Sequence, residues 1–145
     1  MKQIAIKLII ALLLSLILFL SWRFYLQYED KALRKAFGLL KEEKYEQAIS
    51  IIKSYSDNNS IRAKRLLARV YAFGLGVEID ITQAKKLLEC DNNEECVPGK
   101  EEFGIGLDHD SPYGGEINKE MAIKWISYSA SLGYSPAQKW LSDNK

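Results

Sequence analysis

The segment Asp108-His109-Asp110 brings together side chains that can take part in acid–base or metal chemistry. A histidine beside carboxylates can act as a general acid or base, and the same groups can ligate a metal ion. His109 is, however, the only histidine of the chain, and no nucleophile elbow, phosphate-binding glycine loop or EF-hand pattern accompanies it. We therefore expect no catalytic residue, no metal and no cofactor, and a packing or surface role for His109. A periplasmic hydrolase that uses these three residues is the alternative.

Cys90 and Cys96 are the only cysteines of the chain, and five acidic or amide residues separate them. In an exported protein, such a pair predicts a disulfide that closes a small loop. Because closing a short loop removes little entropy from the unfolded chain, we expect the bond to shape this segment rather than to hold the whole fold. A zinc site needs two further ligands at suitable spacing, which a chain with one histidine does not offer.

A long apolar segment at the N-terminus decides the compartment in which these residues lie. Residues 4–22 form an apolar run of about 19 residues, close to the roughly 20 that a membrane-spanning helix needs. Lys2 and Lys7 lie near its start, and the positive-inside rule places that end in the cytoplasm. We expect residues 1–28 to be an uncleaved single-pass anchor in the inner membrane and residues 29–145 to lie in the periplasm. A cleaved signal peptide is the alternative, although small residues before a cleavage site are lacking.

The section from Ala63 to Leu88 predicts a helix, a tight turn and a second helix. Apolar residues recur at helical spacing through its first part, and the small residues Ala63 and Ala84 are expected where the two helices cross closely. Gly74 and Gly76 follow, and glycine can take the positive φ needed where the first helix ends. Asp80 is a candidate N-cap of the second helix, with Gln83 as its capping-box partner.

The same pattern recurs further along the chain. A shift of 38 positions superposes residues of like type, which are Asp80 on Asn118, Ala84 on Ala122 and Leu88 on Ile126. A shift of 74 positions does the same for Ala63 on Ala137 and Leu67 on Leu141. An earlier hairpin is predicted over residues 30–44 and 45–55, and the apolar stripe of its first helix is Leu33, Ala36, Phe37 and Leu40. Recurrence at this spacing predicts a helical repeat protein.

The repeated pattern resembles the Sel-one-like repeat, a relative of the tetratricopeptide repeat. The front of one unit agrees at Ala63, Leu66, Tyr71, Gly74, Gly76, Val77, Asp80 and Ala84. The back of the next unit agrees at Ala122, Trp125, Ser129, Ala130, Gly133 and Ala137. The resemblance covers roughly residues 61 to 142. It implies an all-α fold, a short α-solenoid of about three helix-turn-helix repeats that follows the N-terminal transmembrane helix.

Residues 89 to 115 depart from the repeat, because Gly104, Gly106 and His109 replace the larger or more typical residues of a unit. Segments that deviate from a rigid scaffold often carry binding specificity, and aromatic residues within a charged rim are typical anchors. We therefore expect a protein partner to contact this segment. The residues predicted to bind it are Phe103, Asp108, His109, Asp110 and Tyr113.

Charge excludes one class of partner. Without the basic residues of the anchor, Lys2, Lys7 and Arg23, the chain has 17 basic against 19 acidic residues, which argues against nucleic-acid binding. The charges are polarised, since residues 61–86 are mainly basic and residues 89–120 mainly acidic. Such runs indicate solvated faces of opposite sign or, alternatively, an acidic surface that recognises a basic partner.

These observations favour a non-catalytic protein–protein interaction module with its folded part in the periplasm. Proteins of the Sel-one-like family act as adaptors in envelope and signalling assemblies, and small exported members include immunity proteins that neutralise a secreted antibacterial toxin. The resemblance therefore implies a toxin or an envelope component as the partner, with no nucleic acid and no small-molecule cofactor. An immunity role and an adaptor role have the same sequence features, and a toxin gene next to that of this chain would favour immunity.

Overall fold

The computed structural model of the protein describes residues 2–89, 97–109 and 118–144, and these residues form seven α-helices and no strand. The helices are α1 (Lys2–Lys41), α2 (Tyr45–Asp57), α3 (Ile61–Phe73), α4 (Ile81–Leu88), α5 (Lys100–His109), α6 (Lys119–Ser131) and α7 (Ser135–Asp143). The prediction of an all-α fold is confirmed.

Helices that follow one another along the chain are mostly neighbours in space. α1 packs on α2, α2 on α3, α3 on α4, α5 on α6 and α6 on α7, while α5 also contacts α3 and α4. Only three residues connect α1 to α2, α2 to α3 and α6 to α7. Connections this short require the helices that they join to run antiparallel.

α1 is one helix of 40 residues, which runs from the apolar N-terminal segment into the first hairpin. The predicted boundary at residue 28 lies inside it, because no proline or glycine occurs before Gly38 to interrupt α1. The helical spacing predicted from Asp30 onward forms the last part of the same helix. Every described side chain from Gln3 to Tyr28 is exposed, and the buried side chains of α1 begin at Glu29. α1 is long and apolar enough to span a membrane or to act as a signal sequence.

Small residues lie at the places where helices cross. Eight alanines are at most 1% exposed, namely Ala36, Ala48, Ala63, Ala68, Ala72, Ala84, Ala122 and Ala137. α5 approaches α6 even more closely, since a Cβ added to Gly106 would lie 2.5 Å from Cγ1 of Ile126. The predicted small positions Ala63 and Ala84 are therefore buried as expected, and Gly106 is a position where the repeat requires a small residue.

Local side-chain chemistry fixes where the helices begin and end. N-cap oxygens accept hydrogen bonds at three starts, from Ala63 N to Ser60 Oγ (3.1 Å), from Gln83 N to Asp80 Oδ1 (2.8 Å) and from Met121 N to Asn118 Oδ1 (3.0 Å). The predicted cap at Asp80 is confirmed, and so are the turn glycines, with φ of +67° at Gly74 and +72° at Gly76. The prediction of a capping box with Gln83 is wrong, because the backbone N–H of Asp80 donates to the carbonyl of Tyr71 rather than to the Gln83 side chain.

The two sequence offsets reappear as pairs of equivalent backbone hydrogen bonds. The pair at an offset of 38 consists of Asp80 N to Tyr71 O (3.0 Å) and Asn118 N to His109 O (2.8 Å). The pair at an offset of 74 consists of Ser60 N to Tyr55 O (3.0 Å) and Tyr134 N to Ser129 O (3.3 Å). α2 and α6 also begin 74 positions apart, at Tyr45 and Lys119. The connections between helices are thus built alike at positions that the sequence relates.

The contact between α5 and α6 can be tested with two glycines on one helix. We expect Gly106→Ala to lower the free energy of unfolding by about 1–2 kcal/mol, because the methyl group collides with Ile126 and this cost exceeds the gain in helix propensity. In the control Gly104→Ala the nearest atom is Nη2 of Arg69 at 3.3 Å, on a side chain that can move, so we expect unchanged or slightly higher stability. Urea unfolding in detergent, followed by circular dichroism, measures both, and equal effects would contradict the close crossing.

Candidate protein-binding site

The described part of the predicted binding segment is a regular helix. Phe103, Asp108 and His109 all lie on α5. Residues 100–109 of the segment that departs from the repeat pattern are thus helical, and two glycines do not interrupt this helix. Four further predicted residues lie outside the described part of the chain, namely Asp110, Tyr113, Cys90 and Cys96.

Asp108 forms an ion pair with Arg69 of α3. A second pair links the same two helices, since Arg65 Nε lies 3.4 Å from Glu101 Oε1. Burial lowers the pKa of the Arg69 guanidinium, while the Coulombic attraction of Glu101 opposes that shift. The basic and acidic runs of the sequence thus meet each other across α3 and α5. The Asp108 carboxylate is paired with the chain's own arginine, and its side chain is 35% exposed.

His109 is a packing residue, as its position in the repeat predicted. Its side chain is only 6% exposed, and its ring stacks on Phe73 with centroids 4.1 Å apart. Burial lowers the pKa of His109, so the imidazole is neutral near pH 7. Among the residues that the structure describes, no group of three or more His, Cys, Asp or Glu side chains is arranged to hold a metal ion.

Phe103 was expected to be an exposed anchor, but it is half-buried. Its ring lies 5.7 Å from that of Tyr134, measured between centroids and tilted by 55°. A neighbouring contact reinforces this one, since Ser129 Oγ donates a 2.6 Å hydrogen bond to the carbonyl of Gly99. Phe103 therefore joins the start of α5 to the start of α7, and only part of its ring remains accessible to a partner.

A cavity of about 210 Å³ lies between α3, the end of α4 and the start of α5. Its walls combine apolar and charged side chains, among them Ile61, Arg65, Leu88, Val97, Lys100 and Glu102. Glu102 is only 5% exposed, and burial raises the pKa of its carboxyl group. The burial of Glu102 was not predicted, because glutamate at a helix start is usually solvated and interacts favourably with the helix dipole.

A basic groove between α1 and α3 was not predicted. It measures about 270 Å³ and is lined by Leu33, Arg34, Phe37, Arg62 and Leu66. Two guanidinium groups share one carboxylate there, with Arg34 Nε 2.7 Å and Arg62 Nη2 2.6 Å from the oxygens of Asp30. Hydrogen bonds from Arg62 and Arg34 lower the pKa of Asp30, which stays ionised and leaves an excess of positive charge.

Phe37 gives this basic groove an exposed apolar surface. Leu33, Ala36 and Leu40 are buried as the helical spacing predicted, but Phe37 is 49% exposed, so its assignment to the same buried stripe is wrong. The ammonium group of Lys41 lies 4.8 Å from the centroid of its ring. An exposed aromatic ring among cations is a suitable contact for an acidic protein surface that carries an apolar side chain.

Comparison of the chain with the known protein families found no matching family, and a search of curated proteins found no significant relative. The described residues themselves offer two surfaces of different character. α5 packs on α6 and also contacts α3 and α4, whereas the basic groove keeps Phe37, Arg34 and Arg62 accessible.

The ion pair between Arg69 and Asp108 is expected to stabilise the contact of α3 with α5. Asp108→Asn leaves a half-buried guanidinium without its counter-ion, and we expect a loss of about 1–2 kcal/mol in the free energy of unfolding. Glu120→Gln is the control, because it removes one partner of an exposed pair, with Lys124, within a single helix. We expect it to change little. Urea titrations at low and high salt compare the two, and a similar small effect of both changes would show that Asp108 is free for a partner.

The burial of His109 predicts a pH dependence of stability. Its folded pKa lies below the value of 6.5 in the unfolded chain, so its contribution is fully present above pH 6.5 and is lost as the pH falls through the folded pKa. His109→Phe keeps an aromatic ring against Phe73 and removes the proton site. We expect the variant to lose less stability than the wild type between pH 7 and pH 5 in thermal unfolding. Parallel curves for the two proteins would contradict a buried neutral imidazole.

Proposed function

We propose that this protein is a non-catalytic protein-binding module, held in the inner membrane by α1 with its remaining helices in the periplasm. We further propose that α2 to α7 and the end of α1 form a short α-solenoid of about three helix-turn-helix repeats, similar to the Sel-one-like repeat. The equivalent hydrogen bonds at offsets of 38 and 74 residues support this architecture. The unpacked apolar part of α1 supports the membrane anchor.

The contacts of Asp108 and His109 carry the argument against catalysis. The carboxylate pairs with Arg69, and the imidazole is buried against Phe73. A general base must reach the proton that it abstracts, and these contacts hold both side chains in the interface of α5 with α3. A packing role for this pair favours a binding protein over a hydrolase.

We assign the partner contact to the basic groove rather than to the face of α5. The basic groove offers an exposed aromatic ring, Phe37, beside Arg34 and Arg62. An acidic surface of a secreted toxin would complement these cations, and charge complementarity speeds the association on which a rapid inhibitor depends. We therefore propose that the module serves as an immunity protein.

Titration of a toxin with the purified full chain tests this function. The probe is the product of the neighbouring gene, and its residual activity is measured as a function of the molar ratio of the two proteins. We expect inhibition to be complete near a one-to-one ratio, because a binding protein is consumed by its target. Phe37→Ala should weaken binding by about 1–2 kcal/mol, whereas Ile123→Ala, which truncates an exposed residue on α6, should not.

The other outcomes distinguish the competing functions. Complete loss of toxin activity at a small fraction of one molar equivalent of this protein would show that the protein turns over, and it would support a hydrolase. Binding without inhibition would support an adaptor. Equal effects of Phe37→Ala and Ile123→Ala would show that the basic groove is not the contact surface.

A further inference from the structure

Three connections between helices lie together at one edge of the domain, which we call the proximal edge. They are residues 58–60 before α3, the described residues 97–99 before α5, and residues 132–134 before α7. A Cβ added to Gly99 would lie 2.7 Å from Cβ of Tyr134, so the second and third connections touch. The cavity before α5 joins the first connection to the second, because Asn59 and Val97 both line it.

Two polar contacts fix the proximal edge to α1. Ser60 Oγ donates a 2.5 Å hydrogen bond to Glu29 Oε1, and the carboxylate of Glu29 is buried by the contact. Nη2 of Arg62 lies 2.6 Å from Oδ1 of Asp30, the residue that follows Glu29. The start of α3 is therefore held at residues 29 and 30, directly after the exposed apolar part of α1.

The length of that exposed part leaves no spacer between a bilayer and the domain. From Gln3 to Tyr28, at 1.5 Å per residue, α1 extends for about 39 Å, against a bilayer of roughly 40–45 Å with its headgroups. Tyr28 lies about 9 Å beyond Trp22, which is an aromatic residue of the kind found at the membrane interface. A helix placed in this way brings the proximal edge to the level of the headgroups.

The proximal edge exposes apolar side chains where it would meet this layer. Val97 is 49% exposed and Leu132 is 38% exposed, and Pro98 beside Val97 is exposed as well. Such side chains gain free energy when they leave water for the headgroup and acyl boundary. Their position on two neighbouring connections, rather than along a helix, suits contact with a flat surface.

We propose that the proximal edge is a lipid-contact surface, in which Val97 and Leu132 enter the headgroup layer of the bilayer that α1 spans. This inference rests on the proposed membrane anchoring. The contact is apolar rather than electrostatic, because the exposed side chains that form it, Val97, Pro98 and Leu132, carry no charge. Zwitterionic lipids are therefore sufficient, and anionic lipids do not strengthen it.

Lipid quenching of introduced tryptophans in the full chain tests the proposal. Leu132→Trp places a probe on the proximal edge. Ile79→Trp places a matched, exposed probe on the connection between α3 and α4. This connection lies at the ends of α3 and α4 that are far from the proximal edge. Both are made with Trp22→Phe and reconstituted in phosphatidylcholine nanodiscs that contain a headgroup-labelled nitroxide lipid. The emission of the Trp22→Phe chain, which keeps Trp125 and Trp140, is measured in the same nanodiscs and subtracted as the background. We expect at least a twofold stronger quenching at position 132, unchanged when phosphatidylglycerol is added.

Controls separate this inference from the anchor on which it rests. The emission of Trp22, taken as the difference between the native chain and the Trp22→Phe chain, should be quenched by the same lipids. Failure of Trp22 to respond would overturn the anchor and the docking together. Quenched Trp22 with equal responses at positions 132 and 79 would overturn the docking alone. Val97→Trp provides a second probe of the proximal edge if Leu132→Trp does not fold by circular dichroism, and it is judged by the same comparison with position 79.

Discussion

The helices of this protein can pack because small side chains lie wherever two of them approach closely. Buried alanines recur from α1 to α7, and Gly106 takes the same part where α5 meets α6. Close approach lets large apolar residues such as Ile52 and Trp125 be fully buried in the core. The rest of the arrangement depends on this spacing, because a larger residue at one crossing would displace a helix and every helix that packs on it.

Local chemistry explains the parts of the fold that could be predicted from the sequence. An N-cap depends on a side chain and a backbone group only three residues apart, so Asp80 was identified without knowledge of the fold. Positive φ at Gly74 and Gly76 is likewise a property of the residue type. The spacing of Ala63 and Ala84 revealed the close crossings, since a small residue in an apolar stripe has few other uses.

Contacts between distant parts of the chain could not be predicted in the same way. The basic and acidic runs were interpreted as separate solvated faces, and only the packing of α3 against α5 shows that Arg69 and Asp108 meet. The change from an apolar to a polar composition predicted a boundary near residue 28, but α1 continues through it because no residue there interrupts the helix. Phe37 fitted the helical period of α1, yet its exposure depends on where α3 lies rather than on that period.

α1 is one continuous helix, with no break between its exposed apolar part and the part that packs in the domain. In a bilayer, a helix adjusts to the thickness of the hydrocarbon layer by changing its tilt. Glu29 and Asp30 of α1 contact the start of α3 directly after the exposed part of α1. The domain therefore cannot turn independently of this helix. With α1 in a bilayer as proposed, the thickness of that bilayer would set the angle at which the domain faces the space around it, and the local lipid composition would become a determinant of how its surfaces are presented.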